Sequence, residues 1–121
     1  MKILITDDSK VMRQIVTRTL RQAGFDSHTL IEAENGRIGL EKARSEAPDL
    51  ILCDWNMPEM SGIEFLRALR AEGSGTPFCF VTSEGSEEMR TAAEQAGAMG
   101  LITKPFTADS FAEKLSPVVT A

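Results

Sequence analysis

The stretch Leu50-Ile51-Leu52-Cys53-Asp54 decides how this chain is read: four apolar residues in succession, then a carboxylate. An apolar run with no polar alternation suits a strand buried on both faces, in the middle of a parallel sheet covered by helices. Three other runs have the same form. Ile3-Leu4-Ile5 leads through Thr6 to Asp7-Asp8, Phe78-Cys79-Phe80-Val81 leads to Thr82, and Leu101-Ile102 leads through Thr103 to Lys104. If these runs are parallel strands of one sheet, their polar ends emerge together at its carboxyl edge, where open α/β sheets bind ligands.

The segments between the runs have helical period. Lys10 to Ala23 carries Met12, Ile15, Val16, Thr19 and Leu20 at three-and-four spacing, with Gly24 as a left-handed stop. Thr29 to Ala33 reads as a further strand, and Asn35 can cap a helix running to about Ser45. Ser61 and Glu64 have capping-box spacing and open a helix with Phe65, Leu66 and Leu69 inward. Ser86 can cap the next, where Glu87 and Glu88 complement the positive end of the macrodipole and Gly97 makes the stop. Gly100 to Ile102 reads as a short strand, and Thr107 caps a last helix carrying Phe111, Leu115 and Val118. Five strands alternating with five helices predict an α/β fold: a doubly wound, five-stranded parallel sheet with helices on both faces.

The 121 residues suit one domain, 1–121, with a core large enough to need no disulfide or structural metal. A formal charge of −5 and the absence of a basic stretch argue against a nucleic-acid partner. No apolar segment reaches membrane-spanning length and no signal segment opens the chain, so no membrane insertion and a cytoplasmic location are expected. Cys53 and Cys79 lie inside apolar runs and read as buried, reduced thiols, unlike zinc ligands. Trp55 reads as a partly exposed rim residue, His28 as a surface or strand-start residue, and Arg67, Arg70 and Arg90 as solvated helix faces. No linker or second domain to carry an output is apparent.

The chemistry lies at the strand ends. Two carboxylates about 4 Å apart repel by roughly 4 kcal/mol at an effective dielectric near 20, and a third worsens this. Asp7, Asp8 and Asp54 gathered at one edge therefore call for protons or a bridging cation. Oxygen ligands with room for water favour Mg²⁺, with Mn²⁺ able to substitute. One carboxylate can then act as a nucleophile toward a phosphoryl group. Asp54, at the end of the central strand, is the best placed. Lys104 can offset charge on the equatorial oxygens, and Thr82 can donate its hydroxyl to one of them. Pro105 leaves the Lys104 peptide bond open to cis or trans. Met57-Pro58 and Ser61-Gly62 mark a loop able to present a backbone carbonyl near the metal.

Read together, Ile-Thr-Asp7-Asp8-Ser, Leu-Cys-Asp54-Trp-Asn-Met-Pro58-Glu-Met-Ser-Gly62, Val-Thr82-Ser and Thr-Lys104-Pro105-Phe106 resemble the receiver domain of two-component response regulators over essentially the whole chain. The resemblance implies the flavodoxin-like strand order 2-1-3-4-5, which the chemotaxis receiver exemplifies. It implies that Asp54 takes a phosphoryl group from a histidine kinase. It also implies that Asp8, Asp54 and the backbone carbonyl of Asn56 bind Mg²⁺, with Asp7 assisting through water. Lys104 is similar to the phosphate-contacting lysine and Thr82 to the switch hydroxyl. Trp55, Met12-Arg13, Asn56 and Glu84 resemble the chemotaxis subfamily, where the last two positions influence phosphate lifetime. The expected output face is the fourth helix, fifth strand and fifth helix. It would act on a separate downstream protein, with a flagellar switch component and a phosphatase as candidates, from a monomer. Leu101 stands where chemotaxis receivers usually carry an aromatic switch, which implies a mechanism by backbone movement or another side chain.

Other functions fit less well. A phosphatase of the haloacid-dehalogenase type wants Asp-x-Asp after its first strand, whereas here the acceptor ends the third and Asn56 holds the second position. A flavodoxin-like carrier needs a phosphate loop where Asp7-Asp8 would repel the phosphate, and no tyrosine is present to cover a flavin. A constitutive pseudo-receiver would not need the acid pair, acceptor, threonine and lysine all intact. A phosphorelay intermediate or a phosphate sink would use the same residues.

Overall fold

The computed structural model describes residues 1–25 and 28–118. Its strands are β1 (Lys2–Thr6), β2 (Thr29–Ala33), β3 (Leu50–Cys53), β4 (Phe78–Thr82) and β5 (Gly100–Thr103). Its helices are α1 (Lys10–Gln22), α2 (Gly36–Glu46), α3 (Gly62–Ala71), α4 (Glu87–Gln95) and α5 (Ala108–Leu115). The strands form one parallel sheet in the order β2-β1-β3-β4-β5.

Each helix begins where its capping residue dictates. Ser9, Asn35, Ser61, Ser86 and Thr107 each accept a backbone N–H from the first turn of α1 to α5 respectively, and Ser61 with Glu64 completes a capping box. A cap of this kind stabilises a helix by about 1 kcal/mol. Gly24 and Gly97, the expected stops, take φ of 94°, a region open to glycine at little cost.

The alternation of side chains along each strand divides the core in two. Ile3, Ile5, Leu50, Leu52, Cys79, Val81 and Ile102 face α1 and α5, where Val16, Leu20, Phe111 and Leu115 cover them. Leu4, Ile51, Cys53, Phe78, Phe80 and Leu101 face α2, α3 and α4. β3 is fully buried along its length, as its unbroken apolar run requires. On the second face Phe65, Phe78 and Phe80 meet edge to face at 5.3 and 5.1 Å, each pair adding about 0.5–1.5 kcal/mol beyond burial. Phe80 in turn carries the Trp55 ring at 4.6 Å, joining this core to the carboxyl edge.

The structure departs from the sequence reading in three places. β4 and β5 each run one residue further, to Thr82 and Thr103, which pair with each other. α5 ends at Leu115 rather than reaching Val118, because Pro117 has no N–H to continue the ladder. Val118 still packs against the first core from the turn beyond. Arg70 is not a solvated face residue: its guanidinium donates to the carbonyls of Ser74, Thr76 and Gly97 at 2.9–3.0 Å and ties α3 to the turn after α4.

Candidate functional site

The sheet delivers the four candidate side chains at nearly one level. Asp7, Asp54 and Lys104 are each the first residue beyond a strand, and Thr82 is the last of β4. The parallel ladder continues past the strand ends and fixes their backbones. Asp7 N–H donates to the Ala33 carbonyl at 3.1 Å, Asp54 N–H to Thr6 at 2.9 Å and Lys104 N–H to Thr82 at 2.8 Å.

One carboxylate oxygen from each of Asp7, Asp8 and Asp54 lies within 4.8 Å of the other two. Asp7 is only 4% exposed, Asp54 is half-buried and Asp8 faces solvent. The Lys104 ammonium bridges the two inner acids, 3.3 Å from Asp7 Oδ2 and 3.4 Å from Asp54 Oδ2. The other oxygens are oriented locally: Ser9 N–H donates to Asp7 Oδ1 at 2.9 Å and Trp55 N–H to Asp54 Oδ1 at 2.7 Å. Burial pushes the Asp7 carboxyl above the ordinary carboxylate range and Asp54 adds to this, while the Ser9 N–H and Lys104 pull it back. One ammonium against three carboxylates leaves the edge short of positive charge, and all the donors are hard oxygens. That donor set fits a small divalent cation such as Mg²⁺ held by Asp7, Asp8 and Asp54.

Thr82 is fully buried, and its hydroxyl accepts the Glu84 N–H at 3.4 Å. The Lys104–Pro105 peptide is cis, one of the two forms the sequence left open. Asn56 is exposed, two residues beyond Asp54 in the loop between β3 and α3. Trp55 is half-buried at the rim, as its sequence context implied. Cys53 and Cys79 are buried, and burial raises both thiols, Cys79 to about 12, so neither supplies a thiolate.

Two residues matter here for reasons that sequence reasoning did not supply. Arg13 donates to the Asp7 carbonyl at 2.6 Å and pairs with Glu32 at 2.9 Å, holding the acid pair from the α1 side. Its only sequence signal was the likeness of Met12-Arg13 to one subfamily. Gly62 reads as a turn residue, but a side chain there would strike the Asp54 carbonyl oxygen and come within 2.9 Å of Phe80. The α3 start can lie against the Asp54 backbone only because this residue has no side chain.

The arrangement presents a half-buried carboxylate, a lysine within reach of it, and neighbouring acids able to hold a cation. These are the parts needed to take up a phosphoryl group on a carboxylate oxygen. Known proteins resemble this chain over most of its length. Residues 3–116 match the response regulator receiver domain. The chain is 41% identical to the chemotaxis protein CheY of Pseudomonas aeruginosa over 98% of its own length and 95% of the relative's. It is 42% identical to chemotaxis protein CheY-3 of Vibrio cholerae, covering 98% of this chain and 91% of that one. The solved structure of V. cholerae CheY4 superposes with a TM-score of 0.85 at 37% identity, over 98% of both chains. The receiver domain of a NarL-type regulator from Mycobacterium tuberculosis gives 0.86 at 26% identity, over 96% of this chain and 93% of that one. Fold, edge geometry and these likenesses agree, and the chain belongs to the response regulator receiver domains of two-component signalling.

Proposed function

We propose that this receiver is a Mg²⁺-dependent switch that accepts a phosphoryl group on Asp54 from a histidine kinase, in chemotaxis-type signalling. The observation that carries this reading is the Lys104 ammonium set between Asp7 and Asp54 inside a three-carboxylate cluster. In the transfer, the P–N bond of the donor phosphohistidine breaks as a P–O bond forms to an Asp54 oxygen. The imidazole leaves with the electron pair and takes a proton from solvent. Asp8, Asp54 and the Asn56 carbonyl are the proposed direct metal ligands, with Asp7 assisting through water. The bound metal would neutralise charge on the transferring phosphoryl oxygens. Lys104 would leave its bridge between the carboxylates to pair with the new phosphate. Thr82 would turn its hydroxyl from its own turn toward a phosphate oxygen and draw the β4–α4 loop with it.

The signal is proposed to leave through α4, β5 and α5 to a separate protein, a flagellar switch component or a phosphatase. The likeness to chemotaxis proteins CheY and CheY-3 supports this reading. Leu101, on β5, is 4% exposed and packs in the core beneath α4. A change in this face would therefore come from the loop and α4 moving over Leu101, without a rotating aromatic. Beryllium fluoride added after Mg²⁺ tests the reading, with Trp55 fluorescence as the probe. Saturable changes at both steps, both lost in Asp54→Asn, are expected. No change in fluorescence together with no labelling by a phosphorylated kinase would leave a constitutive interaction module instead.

A further inference from the structure

The loop from Trp55 to Ser61 is gripped from one side by the start of α2. Glu59 takes φ of 66°, a left-handed conformation that a non-glycine residue rarely adopts without support. Its support comes from residues more than twenty positions earlier. Arg37 Nε donates to Glu59 Oε2 at 2.9 Å, and Asn35 Nδ2 donates to the same oxygen at 3.2 Å. Asn35 is itself fixed: it is 7% exposed, and its Oδ1 caps α2 by accepting the Ile38 N–H at 2.8 Å. The next residue, Gly36, lies so close under the loop that a side chain would collide with the Met60 carbonyl. The Glu59 carboxylate therefore sits at the positive end of the α2 dipole with two donors on one oxygen.

From this geometry we propose that Glu59, clamped by Asn35 and Arg37, is a positioning residue for the β3–α3 loop and so for the metal site at Asp54 and Asn56. The proposal rests on the metal-site reading given above. The clamp has two effects. It holds the loop in one conformation, so that Asn56 is presented without an ordering cost when the cation arrives. It also turns the loop's own acid toward α2, away from the cluster of Asp7, Asp8 and Asp54, where a further carboxylate would compete. Arg37 and Glu59 are each about half exposed, and exposed pairs are individually weak, so the effect on affinity is graded.

The test measures metal-free amide exchange across residues 55–61 and the Mg²⁺ dissociation constant by Trp55 fluorescence. The variants are Arg37→Ala, Glu59→Gly, and Arg37→Glu combined with Glu59→Arg. Glycine tolerates the φ at 59, so Glu59→Gly removes the carboxylate without adding strain. Glu41→Ala controls for the second partner of Arg37, at 2.9 Å. Both clamp-breaking variants should speed exchange in the loop while leaving β1 and β3 protected. They should weaken Mg²⁺ binding roughly two- to five-fold, the range of exposed pairs. The charge-reversed pair should recover part of this, the Glu41→Ala control should leave binding unchanged, and the wild-type advantage should shrink in molar salt. Loop exchange unchanged in both variants would overturn the clamp. Faster exchange with wild-type Mg²⁺ affinity would overturn its positioning role. Faster exchange in a protein whose wild type binds no Mg²⁺ would overturn the metal-site reading and this role with it, leaving only a structural clamp.

Discussion

The two loops flanking Asp54 are built to opposite specifications. The β3–α3 loop is fixed at many points: Gly62 N–H bonds the Trp55 carbonyl at 2.8 Å, Met60 N–H bonds Pro58 at 2.7 Å, and the α2 start grips Glu59. The β4–α4 loop is held lightly. Short of the α4 cap at Ser86, its bonds among the described residues are Glu84 N–H to the Thr82 hydroxyl at 3.4 Å and Arg90 Nε to the Gly85 carbonyl at 3.3 Å, both near the limit of a hydrogen bond. Gly85 also packs so tightly on Thr103 that a side chain would clash, which keeps the loop near β5 by shape more than by bonding. One side of Asp54 is thus a rigid seat and the other can move at small cost. A switch needs both, because a ligand shifts an equilibrium only if some element has two accessible states.

The largest break in this contrast should come from Gly62→Ala. The new methyl would meet the Asp54 carbonyl and Phe80, and overpacking of this kind costs about 1–3 kcal/mol. Thermal denaturation should show a midpoint lower by roughly 4–12 °C, and Mg²⁺ binding should weaken with it. A variant that melts like wild type would mean the loop is not seated on Asp54.

Asp7→Asn should act in the other direction on stability. Burial raises the Asp7 carboxyl above its ordinary value, so the folded state binds that proton more tightly than the unfolded state does. Below the ordinary carboxylate value both states are protonated and no penalty exists. The penalty grows as pH rises through the raised value and is complete at neutral pH. Without metal, Asp7→Asn should therefore raise the thermal midpoint at pH 7, because the neutral amide escapes the cost of burying the charge. The gain should fade as pH falls through that window, while Mg²⁺ affinity drops. A variant less stable at every pH would show that the bridge to Lys104 outweighs the burial of the charge.

The smallest effect should follow Arg90→Ala. Losing a 3.3 Å bond from an exposed side chain should change stability by less than about 0.5 kcal/mol. Amide exchange at 83–85 should nonetheless rise, since the weak Glu84 bond to Thr82 is the other hydrogen bond there among the described residues. A large loss of stability would mean the loop is as firmly built as its neighbour.

What could be read from the sequence follows from what is local. Leu50 to Cys53 declares a central strand because burial on both faces leaves no room for a polar residue. Ser61-x-x-Glu64 declares a helix start because both capping partners lie within one turn. Asp7, Asp54 and Lys104 declare an edge because each follows its strand directly. Which of the adjacent acids turns inward was not legible; burial of Asp7 under the Lys104 bridge settles it, with Asp8 left to solvent. Arg70 and the Glu59 clamp were also hidden. Arg70 reaches Gly97 across twenty-seven residues and Glu59 meets Arg37 across twenty-two, and no periodicity or capping rule brings such pairs together. The end of α5 differs from the spacing of Val118 because Pro117 cannot donate to the helix ladder.

The most direct measurement is the intact mass of the protein after incubation with a small phosphoramidate donor, with and without Mg²⁺. Wild type should gain one phosphoryl group only when Mg²⁺ is present, the label should be lost in alkali as an acyl phosphate is, and Asp54→Asn should gain nothing. Equal labelling of Asp54→Asn, or labelling indifferent to Mg²⁺, would contradict the assignment of this edge as a metal-assisted aspartyl acceptor.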